Sequence, residues 1–184
     1  GMTDFQILEA SPESMLNLNQ IRQTRQVLHG EKFKNTFRDL TVTYIYGSTG
    51  CGKTRHVMEK YGYENVYRVT NYKNPFDQYK GEDVILFDEF RSSLPLADML
   101  KYLDGYPVTL PCRFNDAYAC FTKVYFTTNI PLSDQYRNVQ RDEIESWNAF
   151  KRRIHHVIDW DNPEQLAIDF SDANMSDVPG VLVI

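Results

Sequence analysis

The stretch Gly47-Ser48-Thr49-Gly50-Cys51-Gly52-Lys53-Thr54 constrains this chain more than any other. It satisfies every position of the phosphate-loop pattern G-x-x-x-x-G-K-[ST]. Its flanks fit as well. Residues 41–46 are β-branched and aromatic, which predicts a buried strand. Residues 55–61 hold neither Pro nor Gly, which predicts a helix that Gly62 stops. Strand, glycine loop and helix start together turn a pattern into a site, and they call for an α/β fold. In such a loop, backbone N–H groups converge on phosphate oxygens, aided by the helix N-terminus. Lys53 is expected to reach the β- and γ-phosphates, and the Thr54 hydroxyl to hold Mg²⁺. An ordinary glycine turn is the alternative, and the complete match in the right context speaks against it.

Bulk properties narrow the class. The 184 residues suit one domain with small appendages. A net charge of −5 gives no global basic field, which disfavours a protein that coats nucleic acid. A motor gripping a strand with a few residues stays open. Cys51, Cys112 and Cys120 form no C-x-x-C pair, so free thiols in a reducing compartment are expected. No apolar run approaches the length of a membrane span.

Before the loop, Ser11-Pro12 reads as a helix start and His29-Gly30 as its close. Residues 1–40 are thus a helical appendage, either a simple cap or an oligomerisation element. After the loop, 65–70 and 83–90 read as strands. The second ends in Asp88-Glu89. Strand carboxyl ends face the ligand crevice of a parallel sheet, so Asp88 suits the Mg²⁺ shell and Glu89 suits activation of water. A capping or solvated acidic pair is the alternative. Leu96, Met99, Leu100 and Leu103 fall at helical spacing and read as core. Residues 106–118 read as two short strands around the turn Phe114-Asn115-Asp116, with Arg113 and Phe114 near the tip. That pair suits a phosphate and a base, but local sequence favours a tip without ligand. Residues 123–129 are a further strand ending in Asn129, an amide suited to sensing a γ-phosphate. Residues 142–155 read as one helix with Ile144, Trp147, Phe150 and Ile154 on its inner side. Lys151, Arg152 and Arg153 near its end suit the helix dipole or a neighbour's γ-phosphate. Residues 156–160 are a last strand, and 161–184 a tail.

From residue 42 to 160 this pattern resembles the motor of superfamily 3 helicases. More closely, it resembles the helicase domain of replication initiators from circoviruses, other small circular single-stranded-DNA viruses, and related plasmids. The first motif is the phosphate loop. Tyr79-Lys80-Gly81-Glu82-Asp83-Val84 with Asp88-Glu89-Phe90 is similar to the second, with Glu89 where many relatives have Asp. Leu103-Asp104-Gly105-Tyr106-Pro107 resembles a recurring segment beyond it. Counting from Asp104, Arg113 falls where relatives carry the basic residue of a DNA-contacting hairpin, though Phe114 and Asn115 replace small residues. Thr127-Thr128-Asn129 resembles the sensor motif. Ala149-Phe150-Lys151-Arg152-Arg153-Ile154 resembles the segment bearing the arginine finger, with Arg152 and Arg153 both eligible.

The resemblance implies a phosphate-loop ATPase of the AAA+ type, with a mainly parallel five-stranded sheet flanked by helices over 41–160. It implies ATP and Mg²⁺ as cofactors, single-stranded DNA as partner, and a ring of identical subunits, usually six. The setting would be the cytoplasm for a plasmid or bacterial protein and the host nucleus for a eukaryotic virus. The family's nicking centre needs a His-hydrophobe-His pair, which this sequence lacks, so origin nicking by that chemistry is not expected. Three rivals remain: a phosphate-loop kinase of a small substrate, an RNA helicase of similar architecture, and a non-hydrolysing nucleotide-gated binder. Asp88, Glu89 and Asn129 suit water activation and argue against the first and last.

Overall fold

Alternating side chains in short apolar strands build a sheet that must be covered on both faces. The computed structural model describes the backbone of residues 4–113 and 116–162. In chain order, α1 (Asp4–Ala10), a 3₁₀ turn (Pro12–Asn17) and α2 (Leu18–Phe33) precede β1 (Thr41–Tyr46). Then come α3 (Lys53–Tyr61), β2 (Val66–Val69), β3 (Val84–Phe87), α4 (Leu96–Tyr102), β4 (Thr109–Leu110) and β5 (Ala117–Tyr118). β6 (Lys123–Thr128), α5 (Arg137–Asp142), α6 (Ile144–Arg153) and β7 (His156–Asp159) complete the described chain.

The main sheet has five strands in the order β2-β3-β6-β1-β7, and every pairing in it is parallel. Fold class and strand positions thus match the sequence reading. Val42, Tyr44, Ile85, Phe87, Val124 and Phe126 point to one face, where α4, α6 and the β4–β5 hairpin supply Met99, Phe150 and Leu110. Ile45, Leu86 and Tyr125 point to the other, under Val57 of α3. Phe87 and Phe126 stack with ring centres 5.1 Å apart across the β3–β6 pair. Each such fully buried side chain contributes about 1.5–3 kcal/mol. β7 is sealed onto β1 by His155: its Nδ1 accepts from the Val42 amide at 2.9 Å, and its own amide donates to the Val42 carbonyl at 2.9 Å.

Two local expectations change. The first helix does not close at Gly30; α2 runs on to Phe33 because Gly30 is buried against Tyr118, where a Cβ would stand 2.8 Å from the ring. The helix expected over 142–155 is α6, Ile144–Arg153, which follows the short α5 after Glu143. Within it Ile144 lies outside the core at 52% exposure, while Trp147 and Phe150 are buried as expected. The expected hairpin is present as the antiparallel pair β4–β5. The readings placed on Phe114, on Asn115 and on the tail beyond Asn162 lie outside the described residues.

Candidate nucleotide-binding site

The sheet order brings the predicted residues to one edge. β6 lies between β3 and β1, and all three run the same way. Tyr46 stands beside Thr128, and Phe87 beside Phe126. The residues that follow each strand are therefore neighbours: Gly47 after β1, Asp88 after β3, Asn129 after β6. Gly50 and Gly52 hold φ of 82° and 93°, a left-handed backbone that a side chain would strain. With those turns the chain enters α3 directly at Lys53.

Asp88 is the hub. Its Oδ1 accepts the Thr54 hydroxyl at 2.6 Å, the Thr127 hydroxyl at 2.6 Å and the Glu89 amide at 3.1 Å. Its Oδ2 accepts Nε of Arg68 at 2.7 Å and also Nη2 of Arg68. Burial alone would raise the carboxyl's pKa, but the Thr127 and Thr54 hydroxyls and Arg68 outweigh it and hold it below the usual range. Tyr72 donates to the Asp88 carbonyl at 2.6 Å, and burial, then the charges of Asp88 and Glu89, push its phenol up, so it stays a donor. Because Thr54 gives its proton to Asp88, its oxygen lone pairs are left for a hard cation. The Thr54 oxygen thus fits Mg²⁺, and Asp88 is the carboxylate beside it.

Lys53 is buried, and its Nζ donates to the carbonyls of Gly47 at 2.9 Å and Ser48 at 2.7 Å. The ammonium is folded onto its own loop, with Cys51 Sγ 3.4 Å away. The chain leaving β7 crosses the loop. Asp161 Oδ2 accepts the Ser48 amide at 2.7 Å and the Ser48 hydroxyl at 2.8 Å. The Trp160 indole N–H donates to the Cys51 carbonyl at 2.9 Å, and its ring lies 4.9 Å from that of His56. Burial, then Lys60, lowers the His56 pKa, which keeps the imidazole neutral near pH 7. Trp160 and Asp161 were legible only as strand end and tail; their contact with the loop spans 109 to 113 residues and leaves no local signal.

Glu89 is exposed with φ of 51°. Holding a non-glycine residue in that left-handed region costs about 1–3 kcal/mol. Asn129 is exposed, and its Oδ1 accepts Nη2 of Arg91 at 2.8 Å. An arginine only donates, so this contact fixes the amide with its NH₂ group free to meet an anion. Neither Arg68 nor Arg91 was singled out from sequence.

Arg152 and Arg153 separate. Arg153 Nη1 donates to the Ala149 carbonyl at 2.9 Å, and Nη2 pairs with Asp104 Oδ2 at 2.7 Å. Arg152 is exposed on α6. Arg113, far along the hairpin, is already occupied: its Nε pairs with Asp77 Oδ2 at 2.9 Å, and its amide donates to Asp77 Oδ1 at 3.0 Å. Among the described residues, no helix is long and apolar enough to cross a membrane.

A sequence model of the family described as RNA helicase matches residues 43–130. The replication-associated protein of beak and feather disease virus is 36% identical over 98 residues, which are 52% of this chain and 32% of that protein. The protein of the same name from porcine circovirus 2 is 28% identical over 121 residues, 66% of this chain and 38% of its own. The matched part is thus about a third of the length of these relatives. Among solved structures, the S. cerevisiae Hsp104–ADP complex matches at 14% identity and a TM-score of 0.43, over 96% of this chain and 34% of its own.

Proposed function

We propose that this chain carries a helicase domain of the circovirus-like replication-associated kind, and that this domain is an ATP-hydrolysing motor that moves on single-stranded DNA during rolling-circle-type replication. The observation that carries the reading is the meeting at Asp88 of Thr54 from the phosphate loop and Thr127 from β6, both at 2.6 Å. It joins the loop to the ends of two other strands, as hydrolysis of a bound triphosphate needs.

In this reading, Gly47, Ser48, Thr49, Gly50, Cys51 and Gly52 cradle the phosphates with main-chain N–H groups. Lys53 leaves its loop carbonyls for the β- and γ-phosphates. Thr54 and Asp88 hold Mg²⁺, which supplies charge neutralisation at the phosphates. Glu89 takes a proton from the attacking water, and the Asn129 NH₂, set by Arg91, donates to the γ-phosphate. The guanidinium offered to a neighbour's site is that of Arg152, since Arg153 is engaged within its own subunit. That role needs a ring of identical subunits, to which residues 1–40 contribute while 41–160 form the motor and 161–184 a tail. Arg113, with Phe114, contacts DNA by exchanging the Asp77 carboxylate for a phosphate. The host nucleus is the setting that the likeness to viral proteins supports.

The test is phosphate release with and without single-stranded DNA. Lys53→Ala is expected to abolish DNA-stimulated ATP hydrolysis; normal hydrolysis by that variant would overturn the site assignment. A phosphorylated acceptor in place of free phosphate would make the chain a kinase. The family description favours RNA as a second reading, and stimulation by single-stranded RNA but not by DNA would establish it.

A further inference from the structure

Asp88 has no room for another partner. Its side chain is 3% exposed, and a carboxylate offers about four lone-pair sites. Oδ1 already accepts Thr54, Thr127 and the Glu89 amide, and Oδ2 accepts two nitrogens of Arg68. A cation or its bound water reaches this carboxylate only if a present donor leaves. Thr54 and Thr127 sit on short side chains anchored in α3 and β6. Arg68 differs. It stands on β2, an edge strand of the sheet, and its long side chain is 47% exposed. It is also the partner that brings a full positive charge to the buried anion. Exchanging it for a divalent cation keeps the carboxylate compensated in both states, whereas losing it without exchange would strand a buried charge.

We propose that Arg68 is a positioning residue that competes with the divalent cation for Asp88. It holds the carboxylate toward Thr54 while the metal is absent, and it releases Oδ2 as metal and nucleotide enter. The inference rests on the reading of Asp88 as part of the metal site. Among the described residues, Arg68 is the cation paired with Asp88, and Lys53 is held elsewhere by carbonyls of the phosphate loop.

The test is a Mg²⁺ titration of binding of a fluorescent ATP analogue by the full chain and by Arg68→Gln and Arg68→Lys. Removing a charge-assisted competitor should lower the half-saturating Mg²⁺ about tenfold in Arg68→Gln. Arg68→Lys, which keeps the charge but not the two-nitrogen grip, should fall between it and the parent. An unchanged or higher Mg²⁺ requirement in both variants overturns the proposal. A melting series with Mg²⁺ alone gives a second readout. The rise in melting temperature should be larger in Arg68→Gln than in the parent, because the unpaired carboxylate has more to gain. An equal rise also overturns the proposal. Should Arg68→Gln fail to fold, the Arg68→Lys titration decides in the same direction. If the parent chain binds no nucleotide, the proposed function fails, while the melting series still judges Arg68.

Discussion

The two ends of the sheet bury opposite charges in opposite ways. At the carboxyl end, the 3% exposed Asp88 is an anion among donors. At the amino end, the 2% exposed Arg38 is a cation among acceptors. Its Nη1 donates to the Phe121 carbonyl at 3.1 Å, its Nη2 donates to the Asp104 carbonyl at 2.9 Å, and its guanidinium lies 4.7 Å from the Phe121 ring centre. Burial pulls its pKa down, against the opposing pull of Tyr79, Cys120 and Asp104. The difference lies in the partners. Asp88 is met mainly by side chains, and one of them, the half-exposed Arg68, can be exchanged for another cation. Arg38 is met by main-chain carbonyls, which move only if the fold moves. Exchange of partners is proposed for the carboxyl end; the amino end joins the segment before β1 to the turn after α4 and the approach to β6.

Removing Arg38 is the severest way to break that comparison. Arg38→Leu leaves the Phe121 and Asp104 carbonyls without their donor inside the protein, each at about 1–3 kcal/mol. A loss of about 3–5 kcal/mol in chemical denaturation is expected. Saturating nucleotide should raise parent and variant alike and leave the gap between them, because the site is at the far end of the sheet. A variant as stable as the parent would show that the amino end is no fixed joint.

The adjacent arginines of α6 sharpen the comparison further. Arg153 belongs to the joint through Asp104, and Arg152 faces outward. Arg152→Ala should leave stability unchanged and lower ATP hydrolysis by the assembled protein about 100-fold. Arg153→Ala should cost about 1–2 kcal/mol in stability, with hydrolysis per folded subunit less affected. The reverse pattern in paired denaturation and phosphate-release assays would exchange their roles.

These contrasts also mark what the sequence could disclose. The phosphate loop, β1, β3 and β6 are written in contiguous residues, so pattern and periodicity were enough to find them. Asp88 and Asn129 followed, because a parallel sheet puts strand ends together. The charges that hold those ends were not legible. Arg68 meets Asp88 across 20 residues, Arg91 meets Asn129 across 38, and Arg38 meets Phe121 across 83. No spacing rule links such pairs. The short helix α5 was hidden too, because its six residues bury none of their side chains and so carry no apolar stripe.

A third charged group tests whether burial, rather than position at the amino end, sets the cost of losing a partner. Asp83 precedes β3 at the same end as Arg38, but its side chain is 51% exposed. Its carboxylate accepts the Thr122 hydroxyl and pairs with Lys123 Nζ at 2.6 Å. Burial would raise its pKa, but Lys123 and Thr122 outweigh that and lower it. A carboxyl depressed in the folded state stabilises the fold above its unfolded pKa of about 4, and that stabilisation is lost as pH falls through the folded value. Asp83→Asn should therefore cost at most about 1 kcal/mol at pH 7, because an exposed pair is screened by solvent. The gap between variant and parent should begin to narrow as pH falls below the unfolded value of about 4, and narrow again in high salt. A gap that moves with neither acid nor salt would assign the loss to the hydrogen bonds with Thr122 rather than to charge. A loss as large as that of Arg38→Leu would make position, not burial, the governing variable.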